Sequence, residues 1–261
     1  MTSIPRPSTA GRFDPERLFR PSSVAVIGAG TEIGSRILAN LVLGGFRGPI
    51  AAAADATMLS EQVDLAVIAT EPADVVPAME ALAAKVCFAA IVPVAAEGLQ
   101  AAARRTGVRV LGAHAFGLAI PALHLNATLS HMPPPPGRLA LVSQSSGLAR
   151  AVIDWAGDTG VGFSTVAGIG GNADIGHGLV LDWLSREPGT GAILLVIRRL
   201  KDRRAFLSAA RAAARLRPVV ALHDGMRHDG TPDLVFEAAL RRAGVLSVGR
   251  LEDLLAAAET L

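Results

Sequence analysis

The sequence is poor in reactive side chains. Its 261 residues include one cysteine, Cys87, two lysines, Lys85 and Lys201, and no tyrosine. A lone cysteine excludes an internal disulfide and any cysteine-based metal cluster, and no metal site is expected. Two lysines leave few candidates for a lysine-dependent mechanism. Charge of one sign is also lacking, since the formal net charge is only +2. The basic runs at 198–204 and 211–217 read as solvated helix faces rather than a nucleic-acid footprint. No apolar run is long enough to span a bilayer, and residues 1–11 lack the apolar stretch of a signal peptide. The cytoplasm is the expected location, with no membrane or nucleic-acid partner.

What the sequence does contain is alternation. Short apolar runs at 23–27, 49–54, 63–70, 86–92 and 108–111 are separated by helix-period segments at 33–44, 73–84 and 98–106. A second series follows: runs at 139–143, 162–166, 191–197, 218–223 and 245–248, with helical segments at 147–158, 177–186, 203–216, 235–243 and 251–260. Strands alternating with helices define an α/β chain with mainly parallel sheets covered on both faces. Four consecutive prolines, 133–136, interrupt the pattern and read as a semi-rigid connector. The expected organisation is two tandem Rossmann-like units: 12–130, a linker at 131–138, and 139–261.

Each unit opens with a strand, a small-residue turn and a helix. In the first, Gly28-Ala-Gly30-Thr31-Glu-Ile-Gly34 combines glycines, which permit close backbone approach, with the free N–H groups of a helix start. That context points to phosphate or pyrophosphate. Asp55, about twenty residues on, stands where a ribose-binding acid sits in NAD enzymes, so an NAD(P)-binding protein is one open reading. In the second unit, Ser143-Gln144-Ser145-Ser-Gly147 repeats the arrangement with hydroxyls. Such serines suit a phosphate, and they also cap helices.

Taken together, "LFRPSSVAVIGAG" (18–30), "VDLAVIATEPADVVP" (63–77), "LHLNATLSHMPPPPGRLALVSQSSGLARAVIDWA" (123–156), "GIGGNADI" (168–175) and "FEAALRRAGVLSVGRLEDLL" (236–255) carry a resemblance. The chain resembles the α-type half of NDP-forming acyl-CoA synthetases, relatives of succinyl-CoA synthetase. It is nearest to the synthetase-like regions fused to protein lysine acetyltransferases. The resemblance implies a CoA-binding domain followed by a flavodoxin-like domain. It implies CoA or acyl-CoA as cofactor, with Gly28, Gly30, Thr31 and Gly34 at the CoA phosphates and Thr70 and Pro72 lining the cleft. Ser143, Gln144 and Ser145 would face the phosphohistidine position, with Asn172 nearby. A separate ATP-grasp subunit or an acetyltransferase is the implied partner, and homo-oligomers are expected.

The chain also departs from that pattern. An Asn-Pro-Lys-like segment and the insert after it are replaced by the direct bridge 55–62, a Ser-Ala-Gly-like turn by 93–97, and a Gly-Pro-Asn segment by Gly112-Ala-His114. The carrier histidine of the family lies in a Ser-His-Thr-Gly-like loop; here only His228, in a shortened loop without the preceding serine, is available. If catalytic, the chain would be an acid–thiol ligase working through His228. The shortened loops favour instead a CoA-binding protein without independent catalysis, with His228 facing solvent and His223 structural.

Overall fold

The computed structural model describes residues 14–223, 225–226 and 231–261. Its first strands are apolar at every position: β1 (Val24–Ile27), β3 (Leu65–Ile68) and β4 (Ala89–Val92). The reason is visible in the packing. Val24 and Val26 join one core, whereas Ala25 and Ile27, pointing the other way, join a second. A parallel strand covered on both faces has no polar side to present. With β2 (Ile50–Ala53) and β5 (Arg109–Gly112) these strands form an all-parallel sheet in the order β2-β1-β3-β4-β5. Helices α1 (Pro15–Phe19) and α2 (Glu32–Gly44) cover one face, and α3 (Val75–Ala84) and α4 (Leu99–Thr106) the other.

The second sheet is larger and mixed, in the order β12-β11-β10-β8-β9-β6-β7. Its parallel part comprises β8 (Pro136–Ser143), β9 (Phe163–Gly168), β10 (Ala192–Val196), β11 (Val219–Leu222) and β12 (Leu246–Val248). Helices α5 (Ser146–Thr159) and α9 (Leu251–Glu259) lie on one face; α6 (His177–Arg186), α7 (Arg203–Ala214) and α8 (Leu234–Ala243) lie on the other.

Two strands that the sequence pattern left unassigned, β6 (Gly117–Ile120) and β7 (Leu125–Thr128), extend this sheet antiparallel beyond β9. The chain therefore changes sheet after β5, ahead of the proline run. The segment 131–138, expected as a connector, lies between β7 and β8 of this sheet and overlaps the start of β8. Pro136 already pairs with Phe163 as the first residue of β8, and Phe163 donates its N–H to the Pro135 carbonyl at 2.7 Å. Proline lacks an N–H but keeps its carbonyl, so it can begin a strand that accepts from its neighbour.

The two sheets share one apolar core. Leu18, Ile37 and Leu41 of the first half belong to the same cluster as Leu125, Leu184, Leu195 and Phe206 of the second. Polar and aromatic ties reinforce it. The Phe19 ring stacks on Trp183 at 5.2 Å, Arg20 pairs with Glu187, and the Asn40 amide donates to the carbonyls of Thr128 and Ser130 at 2.8 Å each. Arg109 grips Asp174 with two bonds of 2.7 and 3.0 Å. The loop after β9 runs along β5, its N–H groups at Gly171, Ala173 and Ile175 donating to the carbonyls of Ala113, Gly112 and Val110. This loop covers an otherwise open sheet edge.

Candidate functional site

In a doubly wound sheet the crevice lies where the order of strands reverses, outside their carboxyl ends. The first sheet reverses between β1 and β3, the second between β8 and β10. Both small-residue turns of the sequence fall at these points.

At the first point, Gly28 and Gly34 are required by packing. Gly28 has φ +75°, and a Cβ on it would lie 2.7 Å from the Ala69 carbonyl oxygen; one on Gly34 would lie 2.1 Å from that of Gly28. The Thr31 hydroxyl caps α2: it accepts from the Gly34 N–H at 3.0 Å and faces the carbonyls of Gly28 and Ala69, each at 2.9 Å. Thr31 thus holds the turn together, and its hydroxyl is already engaged. Gly30 is different. It is exposed, and a Cβ there would meet nothing within 4 Å. Beside the turn, just beyond β3, the Thr70 hydroxyl oxygen is buried and has no hydrogen-bond partner. A buried unsatisfied hydroxyl is costly unless something supplies its partner. Pro72 opens an exposed 3-10 turn, 72–74. Asp55 caps the turn at 56–58, accepting from the Thr57 N–H at 2.7 Å, and that bond holds its carboxyl below the usual range.

At the second point, all three predicted side chains are used locally. The buried Ser143 hydroxyl accepts from the Ser145 N–H at 3.0 Å and donates to the Ser145 carbonyl at 2.9 Å. Ser145 caps α5 by accepting from the Leu148 N–H. Gln144 reaches across the crevice, where its Oε1 accepts from the N–H groups of Arg198 and Arg199 at 2.8 and 2.9 Å. The segment after β8 is thereby fastened to the segment after β10. Between them lies an open cleft of about 730 Å³, walled by Gln144, Ser145, Ser146, Gly147, Gly170 and Gly171 and by three residues that the sequence did not assign to a site: His114, Arg198 and Arg199. The two arginines stand in the loop between β10 and α7, not on a helix face as expected. Two basic residues directly after a strand at the reversal point were the available signal.

Asn172 does not join this cleft. Its backbone is left-handed, φ +53°, and its side chain packs on Gly176, where an added Cβ would lie 2.0 Å from Oδ1. It lines a neighbouring pocket of about 250 Å³ with His177 and Lys201. His228 lies outside the described residues. His223 is structural: its Nδ1 accepts from the Gly225 N–H at 2.9 Å, which leaves the proton on Nε2 for Glu237 Oε1 at 2.9 Å and Ser247 at 3.0 Å. Carboxylate and hydroxyl share one ring nitrogen, so the grouping does not activate a nucleophile. Burial pushes the Cys87 thiol up to about 12, which keeps it inert.

Comparison with known proteins fits this geometry. Residues 136–261 match the family described as succinyl-CoA ligase like flavodoxin domain. An acetate–CoA ligase [ADP-forming] I of Archaeoglobus fulgidus is 32% identical over 92% of this chain and 40% of its own length. The α subunit of acetate–CoA ligase [ADP-forming] I of Pyrococcus furiosus is 30% identical over 88% of this chain and 60% of that one. A solved acetyl-coenzyme A synthetase 1 of Candidatus Korarchaeum cryptofilum, in complex with phosphate and ADP, superposes with a TM-score of 0.86 at 26% identity. That superposition covers 93% of this chain and 61% of that one. Residues 136–261 thus match the succinyl-CoA-ligase-like flavodoxin family, and over nearly its whole length the chain is homologous to NDP-forming acetate–CoA ligases and their α subunits. It spans about half the length of the curated relatives it matches.

Proposed function

We propose that the protein binds CoA or acyl-CoA at the Gly28–Gly34 turn and acts in the cytoplasm without independent catalysis. The observation that carries this reading is the unfinished polar surface at the first reversal point. Gly30 leaves the backbone open to a ligand, the N–H groups of Glu32 and Ile33 at the start of α2 have no intrahelical acceptor, and the Thr70 hydroxyl lacks a partner beside them. A phosphate would satisfy these groups together, and the residues present fit one. Gly28, Gly34 and Thr31 build the turn; Gly30 and Thr70 are left to meet the ligand, with Pro72 on the rim. Ligase activity, if the chain contributes to one, depends on a nucleotide-using ATP-grasp partner. The name of the Pyrococcus furiosus relative, a subunit α, favours such a two-subunit arrangement as the second reading.

The test is thermal stability with CoA, acetyl-CoA, NAD and NADP. A ligand that binds the folded state alone raises stability with the logarithm of its concentration. CoA and acetyl-CoA should raise the melting temperature and the dinucleotides should not. In Gly30→Val the fold should persist, because the added side chain enters open space, while the CoA effect disappears. A CoA effect that survives this substitution, or a shift with NAD alone, would overturn the assignment.

A further inference from the structure

A cavity lies beyond the amino ends of β1 and β2, at the opposite end of the first sheet from the Gly28–Gly34 turn. It measures about 270 Å³ and draws its walls from three distant segments: Pro21 and Ser22 ahead of β1, Phe46 to Gly48 ahead of β2, and Ala122 to His124 in the turn between β6 and β7. Glycine brings these segments together. A Cβ on Gly48 would lie 2.1 Å from the Ser22 carbonyl oxygen and 2.8 Å from the Phe46 ring, and one on Gly44 would lie 3.1 Å from the His124 carbonyl oxygen. The Phe46 ring therefore lies against Gly48, and with Leu123 it packs on the common core to give an apolar floor. The rim is basic. Arg47 and His124 are exposed, neither side chain has an ion pair or hydrogen bond among the described residues, and no carboxylate lines the cavity. Asp64, the carboxylate behind Ser22, is already engaged by the Ser22 hydroxyl and by Arg17. His124 also holds a left-handed backbone, φ +55°, to close its turn, a conformation that glycine takes at lower cost.

We infer that this cavity binds a small carboxylic acid with an apolar body, its carboxylate held by Arg47 with His124 beside it and its body lying on Phe46 and Leu123. One guanidinium matches the single charge of a carboxylate, and its fork matches the two oxygens. Floor and rim select together: an inorganic anion leaves the apolar floor bare, and a neutral apolar compound forgoes the ion pair. The volume lies just under the range of about 300–1,000 Å³ typical of drug-sized ligands, so the body is one ring or a short chain. The site is separate from the proposed CoA turn, which lies at the carboxyl end of β1. Its walls belong to both halves of the molecule, because β6 and β7 are strands of the second sheet. An acid bound there ties the two halves together and stabilises the folded chain. It is held by charge and burial, and no bond to it is made or broken.

Isothermal titration of the whole chain with phenylacetate, acetate and phenylethanol tests this. Saturable binding of phenylacetate is expected, about tenfold tighter than that of acetate, which lacks the ring, or of the alcohol, which lacks the charge. Arg47→Gln should weaken phenylacetate by about tenfold and Arg47→Lys by less, because lysine keeps the charge and loses the fork. His124→Gly relieves the left-handed backbone, so it should weaken binding by about threefold without lowering the melting temperature. Arg47 is exposed, so circular dichroism should show an unchanged fold in its variants. Gly30→Val should bind phenylacetate as the parent does, whether or not CoA binds at the Gly-rich turn, which keeps the two readings distinguishable. The inference is overturned by three results: no saturable binding of phenylacetate, equal affinity in parent and Arg47→Gln, or acetate or the alcohol binding as tightly as phenylacetate. Loss of phenylacetate binding in Gly30→Val would likewise overturn it, by placing the acid in the crevice at the Gly-rich turn.

Discussion

The two small-residue turns occupy the same place in their sheets and are built by different means. In the first, glycine does the structural work: the strand, turn and helix approach so closely that Gly28 and Gly34 have no room for a side chain. In the second, hydroxyls and an amide do it, through Ser143, Gln144 and Ser145, and Gly147 has open space around it. In the first turn the N–H groups of Gly28, Ala29, Thr31 and Gly34 are bonded within the fold, which leaves the helix start at Glu32 and Ile33 for a ligand but supplies no cationic side chain. A turn closed by side chains spends those side chains on itself, and charge must come from elsewhere, here from the two arginines after β10. The same motif shape thus supports a neutral backbone cradle in one sheet and a cationic cleft in the other.

This contrast can be broken most forcefully at Gly34. Gly34→Ala should cost about 3 kcal/mol in urea unfolding, because the Cβ meets rigid backbone that must shift. The matching change in the second turn, Gly147→Ala, should leave the unfolding midpoint unchanged within about 0.5 kcal/mol. Equal losses would mean that the turns are not built differently.

The two halves should also fail at different acidities. His177, fully buried on the second sheet, has its imidazole pushed down to about 4 by burial, against the bond it makes to the Val196 carbonyl. It stays neutral when folded and charges when unfolded. Its contribution is therefore present above the ordinary histidine value and is lost as pH falls from about 6.5 to about 4. The loss is on the order of 3 kcal/mol across that window. Asp64, in the first half, behaves differently. Burial pushes its carboxyl up, but bonds from Ser22 and the Arg17 guanidinium outweigh that and hold it below its ordinary 3.8. Its contribution is present above that value and is lost only as pH falls through the lower folded value. Unfolding measured against pH should show a His177-dependent slope between 6.5 and 4 that His177→Gln removes. A profile that is flat there in the parent protein would refute the assignment.

A smaller effect concerns Gln144. Gln144→Leu leaves the N–H groups of Arg198 and Arg199 without their acceptor and should cost about 1–2 kcal/mol. Hydrogen exchange at those two amides should quicken while the first turn is unaffected. Smallest of all is the proline run. Because Pro135 and Pro136 already engage β9, limited proteolysis should spare residues 131–138, and preferential cutting there would restore the connector reading.

The sequence by itself determined the class of fold, because apolar strands buried on both faces and amphipathic helices each report their surroundings through local period. It also determined both turns, since glycine at Gly28 and Gly34 and serine at Ser145 are dictated by contacts only a few residues away or by the next strand. Tertiary structure decided which sheet a strand joins and which distant side chains meet. The short segments at β6 and β7 carry no helical period or turn signal, and only the free edge of β9 gives them a partner. Asn172, with a left-handed backbone, lines the pocket beside the cleft with His177, while its neighbours Gly170 and Gly171 line the cleft itself. His114, Arg198 and Arg199 are more than eighty residues apart at their widest; strand order sets β10 beside β8, and the loop after β9, bonded along β5, brings the end of the first sheet to the same wall. Local pattern encodes burial and turn chemistry, whereas convergence depends on strand order, which is settled only when the two sheets close on their common core.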